Sequence, residues 1–131
     1  MSTANTTDFG IDRVFRVMSS HVRLRILNLL MNEELCVCDL VNVLNIRQAT
    51  VSRHLGYLRL SGFVTVRKHG TWMYFRMSEP RNNFEEKLRE CLVICRELMP
   101  QWTRDVATLT QSDRPHVCSG VSDEAIRIDA T

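Results

Sequence analysis

Cys36 and Cys38, with Val37 between them and Asp39 behind, place two soft donors two residues apart. Thiolates bind soft and borderline metal ions, and two this close can chelate one ion if the backbone is extended or turned. On a regular helix their side chains would diverge by about 200°, so a chelate must sit at an unwound helix entrance or unwind the first turn. Amides at a helix N-terminus also favour the thiolate. A blander reading stands beside this one, because cysteines are often small core residues. Cys91 and Cys95 form a second pair, four apart and on one face of a helix. Cys118 is the fifth cysteine and lies near the C-terminus.

The chain shows no nucleophile–base arrangement and no phosphate-cradling loop, so neither an enzyme nor a catalytic cofactor is expected. A different signal comes from charge. Arg47, Arg53, Arg59, Arg67, Lys68 and Arg76 fall between Asn45 and Arg76 with no acidic residue among them. That window carries +6 in a chain of net charge +2, so the remainder carries −4. A basic block on a near-neutral chain fits a polyanionic partner or a solvated basic face.

The 131 residues suit one domain, and 44% apolar with 24% charged residues is ordinary for a soluble globular protein. No apolar run is long enough to span a membrane. Met1 to Asp8 lack the apolar core of an export signal, so a cytoplasmic protein with reduced cysteines is expected.

Around these residues the pattern predicts mainly α structure with a small β-hairpin, an α+β winged helix-turn-helix. Helical apolar spacing runs over residues 9–18, and Ser19 or Ser20 can cap a second helix from His21 to Met31. Leu35 to Val37 read as a short extended piece, and Cys38 or Asp39 starts a short helix through Leu44. Asn45, Ile46 and Arg47 form a tight turn. A further helix follows from Gln48 to Ser61 and stops at Gly62. Phe63–Arg67 and Thr71–Met77 are rich in β-branched and aromatic residues and flank Lys68-His69-Gly70, which predicts a hairpin. Residues 1–8 and 111–131 are expected to be flexible, leaving 9–110 as the domain.

Two helices joined by a three-residue turn and followed by a hairpin wing place a recognition helix for the major groove of double-stranded DNA. Its candidate contacts are Gln48, Ala49, Thr50, Ser52, Arg53, His54 and Tyr57, with Arg47 in the turn ahead of them. Arg67, Lys68 and His69 are expected at the wing tip, within reach of phosphate.

A long helix is expected from Asn82 to Leu109. Leu88, Leu92, Cys95, Met99, Trp102, Val106 and Leu109 recur at alternating spacings of four and three, a heptad stripe. The stripe looks too long for one domain to cover, which points to a homodimer seam, with the first helix as a possible contributor. Cys95 falls within it, which suits a buried structural role, whereas Cys91 flanks it.

The runs Glu34-Leu-Cys-Val-Cys-Asp-Leu40, Gln48-Ala-Thr-Val-Ser-Arg-His-Leu55 and Leu58-Arg-Leu-Ser-Gly62 closely resemble the ArsR/SmtB family of metal-responsive repressors, and in particular its arsenic-sensing branch. The resemblance covers about Val14 to Met77. It implies a cytoplasmic homodimer on operator DNA that represses a resistance operon and lets go when As(III) or Sb(III) binds thiolates. It carries Cys36 and Cys38 over as ligands, with Cys91 and Cys95 as a second candidate site and Cys118 as a third source of sulfur. One departure is plain: that branch has a third cysteine three residues after the second, and this chain has Val41 there. The family's cadmium and lead sensors add cysteines ahead of this motif, and residues 1–35 contain none. Its zinc site uses histidines on the last helix, and Asn82 to Leu109 contain none. A thiol redox sensor or a Cd/Pb sensor of the same fold, and a winged-helix protein-interaction module, are the competing readings.

Overall fold

The computed structural model describes residues 10–111, so Cys118 and the residues expected to be flexible lie outside it, apart from Gln111. The elements are α1 (Ile11–Val17), α2 (His21–Leu30), β1 (Leu35–Cys36), α3 (Val37–Leu44), α4 (Gln48–Leu60), β2 (Val64–His69), β3 (Trp72–Met77), α5 (Asn83–Leu98) and α6 (Pro100–Gln111). The winged helix-turn-helix is present as expected, with the three strands ordered β1-β3-β2.

Local chemistry sets the boundaries. Ser20 caps α2 by accepting from the Arg23 amide, and Asn82 caps α5 by accepting from the Glu85 amide. Asn45 ends α3 in the left-handed region, which turns the chain sharply toward α4. Gly62 follows α4 with φ +83°, a conformation that costs glycine nothing. Gly70 supplies the positive φ of the two-residue hairpin turn between His69 and Trp72.

The core gathers Leu27 and Ile26 of α2, Leu40 of α3, Val51, Leu55 and Leu58 of α4, and Phe75 of β3. Burying such side chains contributes about 1.5–3 kcal/mol each, and this fixes α3 and α4 against the rest of the domain.

The expected long helix is two helices. Pro100 has no amide hydrogen and disfavours helical backbone in the residue before it, and Met99 is extended at φ −117°, ψ 100°. The chain folds back there, and α6 packs on α2 and α3. The stripe expected to be a dimer seam therefore meets the chain's own core. Leu92, Trp102 and Leu109 are buried in it, and Leu88, Cys95 and Val106 pack half-buried against it. Met99 is the exposed member.

A polar network secures this fold-back. Asp105, 1% exposed, accepts from Arg25 Nε and Nη2 at 2.8 and 2.9 Å and from Gln101 Nε2 at 2.9 Å. Asn28, fully buried, donates to the Trp102 carbonyl at 3.2 Å and accepts from Arg96 Nε at 2.7 Å. Every buried polar oxygen in this set has a partner, which is the condition under which such a network specifies one packing.

Candidate nucleic-acid interface and thiol site

The turn and the first residues of α4 face outward. Arg47, Ala49 and Arg53 are exposed, with Thr50 and Gln48 half-buried beside them. The Gln48 Nε2 is buried and has no hydrogen-bond partner. Ser52 departs from the expected contact set: it is 8% exposed, because its position on α4 faces the domain beside Val51 and Leu55.

His54 and Tyr57 are held from inside by Arg23 of α2, a residue that sequence reasoning did not single out. Its guanidinium donates to the Val17 carbonyl at 2.9 Å and the Arg16 carbonyl at 3.0 Å, satisfying the open end of α1. It also lies 3.4 Å from His54 Nδ1 and 4.3 Å from the centre of the Tyr57 ring. Arginine has no acceptor, so Nδ1 accepts and Nε2 carries the imidazole proton. Burial, then the Arg23 and Arg53 charges, lower the His54 pKa, so the ring is neutral at pH 7. The sequence signal for Arg23 was faint: an arginine in the first turn of a helix whose other members are mostly apolar.

On the wing, Lys68 and His69 are exposed beside the turn. Arg67 is not at the tip, because its side chain turns back to Glu34, with Nε 2.9 Å from both carboxylate oxygens and Nη2 2.8 Å from Oε1. The pair lowers the Glu34 carboxyl pKa, the hydrogen bond from Arg67 being the main cause.

Cys36 and Cys38 straddle the entrance of α3. Cys36 is extended at φ −91°, ψ 172° as the N-cap residue, and Cys38 lies in the first turn. That broken periodicity brings their sulfurs to 3.2 Å without any unwinding. Asp39 closes the entrance: its carboxylate accepts from the Cys36 amide at 3.2 Å and from the Cys36 thiol at 3.4 Å. Among the described residues, Cys36, Cys38 and Asp39 are the one set of three donors able to hold a metal, with donor atoms within 4.8 Å of one another. The expected thiolate at this helix start is not what the resting site favours. Burial pushes the Cys36 thiol up to about 11, outweighing the amides of Asp39 and Cys38 that pull it down.

Cys91 is exposed and Cys95 half-buried on α5, and both are free thiols. Neither belongs to the donor group at the α3 entrance.

A helix-turn-helix with a hairpin wing and a cationic outer face on its second helix defines a winged-helix regulator, and one short helix upstream lies a group of donors able to hold a metal. The comparisons agree. Residues 20–66 match the model for the bacterial regulatory protein arsR family. The Pseudomonas putida arsenic resistance transcriptional regulator ArsR2 is 35% identical over 95 residues, covering 72% of this chain and 80% of that protein. The chain belongs to the ArsR family.

The Escherichia coli arsenical resistance operon repressor is 44% identical over 68 residues, which is 50% of this chain and 57% of the repressor. The Listeria innocua cadmium resistance regulatory protein CadC is 37% identical over 73 residues, 55% of this chain and 61% of that one. Among solved structures, the transcriptional repressor BigR of Xylella fastidiosa superposes with TM-score 0.56 at 26% identity, over 75% of this chain and 90% of BigR. Fold and relatives are those of transcriptional regulators, related to both arsenical and cadmium resistance. No helix among the described residues is long and apolar enough to cross a membrane.

Proposed function

We propose that this chain is a homodimeric, cytoplasmic repressor that binds the operator of a metalloid-resistance operon and is released when As(III) or Sb(III) binds Cys36 and Cys38. The observation that carries the reading is the 3.2 Å separation of these two sulfurs at the start of α3. A tetrahedral divalent ion with metal–sulfur bonds of about 2.3 Å holds its thiolates roughly 3.8 Å apart. A pyramidal trivalent centre has narrower bond angles and holds them closer, so the separation is nearer to what a trivalent metalloid requires.

Arg47, Gln48, Ala49, Thr50, Arg53 and the Lys68–His69 wing tip meet the DNA in this reading, with His54 and Tyr57 set in place by Arg23. Metalloid bound to the two sulfurs supplies bonds that the α3 entrance must accommodate. Helix α3 packs on α4, so strain at one is felt at the other. A coupling of a few kcal/mol suffices to empty most operators.

The dimer face moves from the expected stripe to the apolar residues that remain uncovered. Ile11 and Phe15 of α1 and Val93, Ile94 and Leu98 of α5 are exposed, with Met99 just beyond. The Phe15 and Phe84 rings meet edge to face at 5.9 Å, so the start of α5 packs against α1. A second copy covering that face would supply the second recognition helix that a two-half-site operator requires.

A second reading is favoured by Asp39. Its carboxylate beside the two sulfurs makes a mixed sulfur–oxygen set, which suits a divalent ion such as cadmium, able to take carboxylate oxygen beside thiolates, better than a trivalent metalloid that prefers sulfur. Titrating arsenite and, separately, cadmium while following thiolate charge-transfer absorption decides between them. The primary reading expects an arsenite signal that Cys36→Ser and Cys38→Ser each abolish, and a cadmium-only signal would replace it with the second.

A further inference from the structure

Glu34 stands between the thiol pair and the wing. It immediately precedes β1, whose residues Leu35 and Cys36 pair with Phe75 and Tyr74 of β3. On the other side of β3, Tyr74 pairs with Arg67 of β2. Cys36 and Arg67 therefore flank the same residue on its two ladder edges. The Arg67 guanidinium also lies 5.2 Å from the centre of the Tyr74 ring. The Glu34 carboxylate closes the circuit by engaging Arg67 through Nε and Nη2. A forked contact of this kind fixes orientation as well as distance. The wing's cation at position 67 is thus tied to the two-residue strand that carries a sensory thiol.

We propose that Glu34 is a positioning residue that couples Cys36 to the wing. The proposal rests on the inducer site assigned above and concerns a route separate from the α3–α4 contact. Strand β1 has two residues and is the edge of the sheet, paired with β3 alone, so a ligand that displaces Cys36 displaces the β1–β3 ladder and Glu34 with it. Arg67 follows the carboxylate, and the adjoining Lys68–His69 tip changes its place relative to phosphate. The pair is partly exposed, with side-chain exposures of 55% and 29%. Its contribution is therefore modest, about fivefold in operator affinity.

The test uses the full chain and a duplex selected by the protein from a random-sequence pool. Operator affinity is measured with and without arsenite for wild type, Glu34→Gln, Arg67→Gln and the double variant. Arsenite binding is followed by charge-transfer absorption, and the amides of β2 and β3 by hydrogen exchange. The expected result is unchanged arsenite binding, an arsenite-driven affinity loss about fivefold smaller in each single variant, and no further reduction in the double. Arsenite alters wing exchange in wild type and not in Glu34→Gln. A full wild-type loss in Glu34→Gln, additive effects in the double, or wing exchange that still responds would overturn the coupling and leave the repressor reading intact. A wild type that ignores arsenite would remove the underlying reading, and the coupling with it.

Discussion

Cys36 lies directly across the β1–β3 ladder from Tyr74, so one residue of the proposed inducer site belongs to the wing sheet as well as to the entrance of α3. Its sulfur is 3.2 Å from that of Cys38, on the first turn of the helix that packs against the recognition helix. A single ligand bridging the two sulfurs would pull on both DNA-facing elements at once.

The resting state of that thiol sets a pH dependence. The folded Cys36 pKa is raised to about 11 from the ordinary 9.0, chiefly by burial. The fold thus holds a proton that the unfolded chain gives up sooner. Its contribution to stability is fully present below about pH 9 and is lost as pH rises through 11. In the reduced, metal-free protein, Cys36 should react with iodoacetamide at least tenfold more slowly than exposed Cys91 at neutral pH, read by mass spectrometry. Equal rates would contradict the burial argument.

The fold-back of α6 should fail without its ion pair. Arg25→Ala leaves Asp105 buried without its forked partner, and such losses cost about 3–5 kcal/mol. Urea denaturation should show a drop of that order, with Arg16→Ala as the control. Arg16 is 62% exposed and its Asp12 contact lies at the surface, so that change should move stability by less than about 0.5 kcal/mol.

Much of this architecture was legible because periodicity and punctuation agree. Val51, Leu55 and Leu58 mark the inner side of α4, Gly62 its stop, and the aromatic-rich strands around Gly70 the wing. What was not legible depended on contacts remote in sequence. A heptad stripe does not say which surface covers it, and Pro100 hands Trp102 and Leu109 to the chain's own core. Arg67 looked like a wing-tip cation until Glu34, thirty-three positions away, claimed it. Ser52 reads as polar, but its burial is set by how α4 rolls against the core. The cysteine pair was visible by spacing, whereas the helix start between Cys36 and Cys38 that brings their sulfurs together was a condition only the structure could meet.

Dimerisation should depend on the uncovered α1–α5 face. Ile94→Asp changes a residue that is 57% exposed, so the fold should survive. In a two-fold interface the change occurs twice, and losing about 1.5 kcal/mol of burial per copy weakens association on the order of 100-fold. Analytical ultracentrifugation should show monomer at concentrations where wild type is dimeric. Trp102→Phe, at a core position of the original stripe, should leave the dimer in place.

DNA affinity should divide into two kinds of contact. Lys68→Ala at the wing tip should weaken binding evenly across sequences and lower the slope of log affinity against log salt by about 1. Arg53→Ala on the exposed face of α4 should change which sequences are preferred, at a cost of about 1–3 kcal/mol for the best site. Fluorescence anisotropy over a salt series, with matched and mismatched duplexes, separates the two. Identical behaviour of both variants would contradict the assignment of α4 as the reading helix.

The central claim is that Cys36 and Cys38 convert metalloid binding into release of DNA. The most direct measurement is the operator affinity of wild type and of the Cys36→Ser, Cys38→Ser double variant, each with and without arsenite. The account predicts tight binding by both proteins without arsenite, and a loss of 100-fold or more on arsenite addition for wild type alone, a coupling of about 3 kcal/mol. A double variant that still releases its operator on arsenite would contradict it.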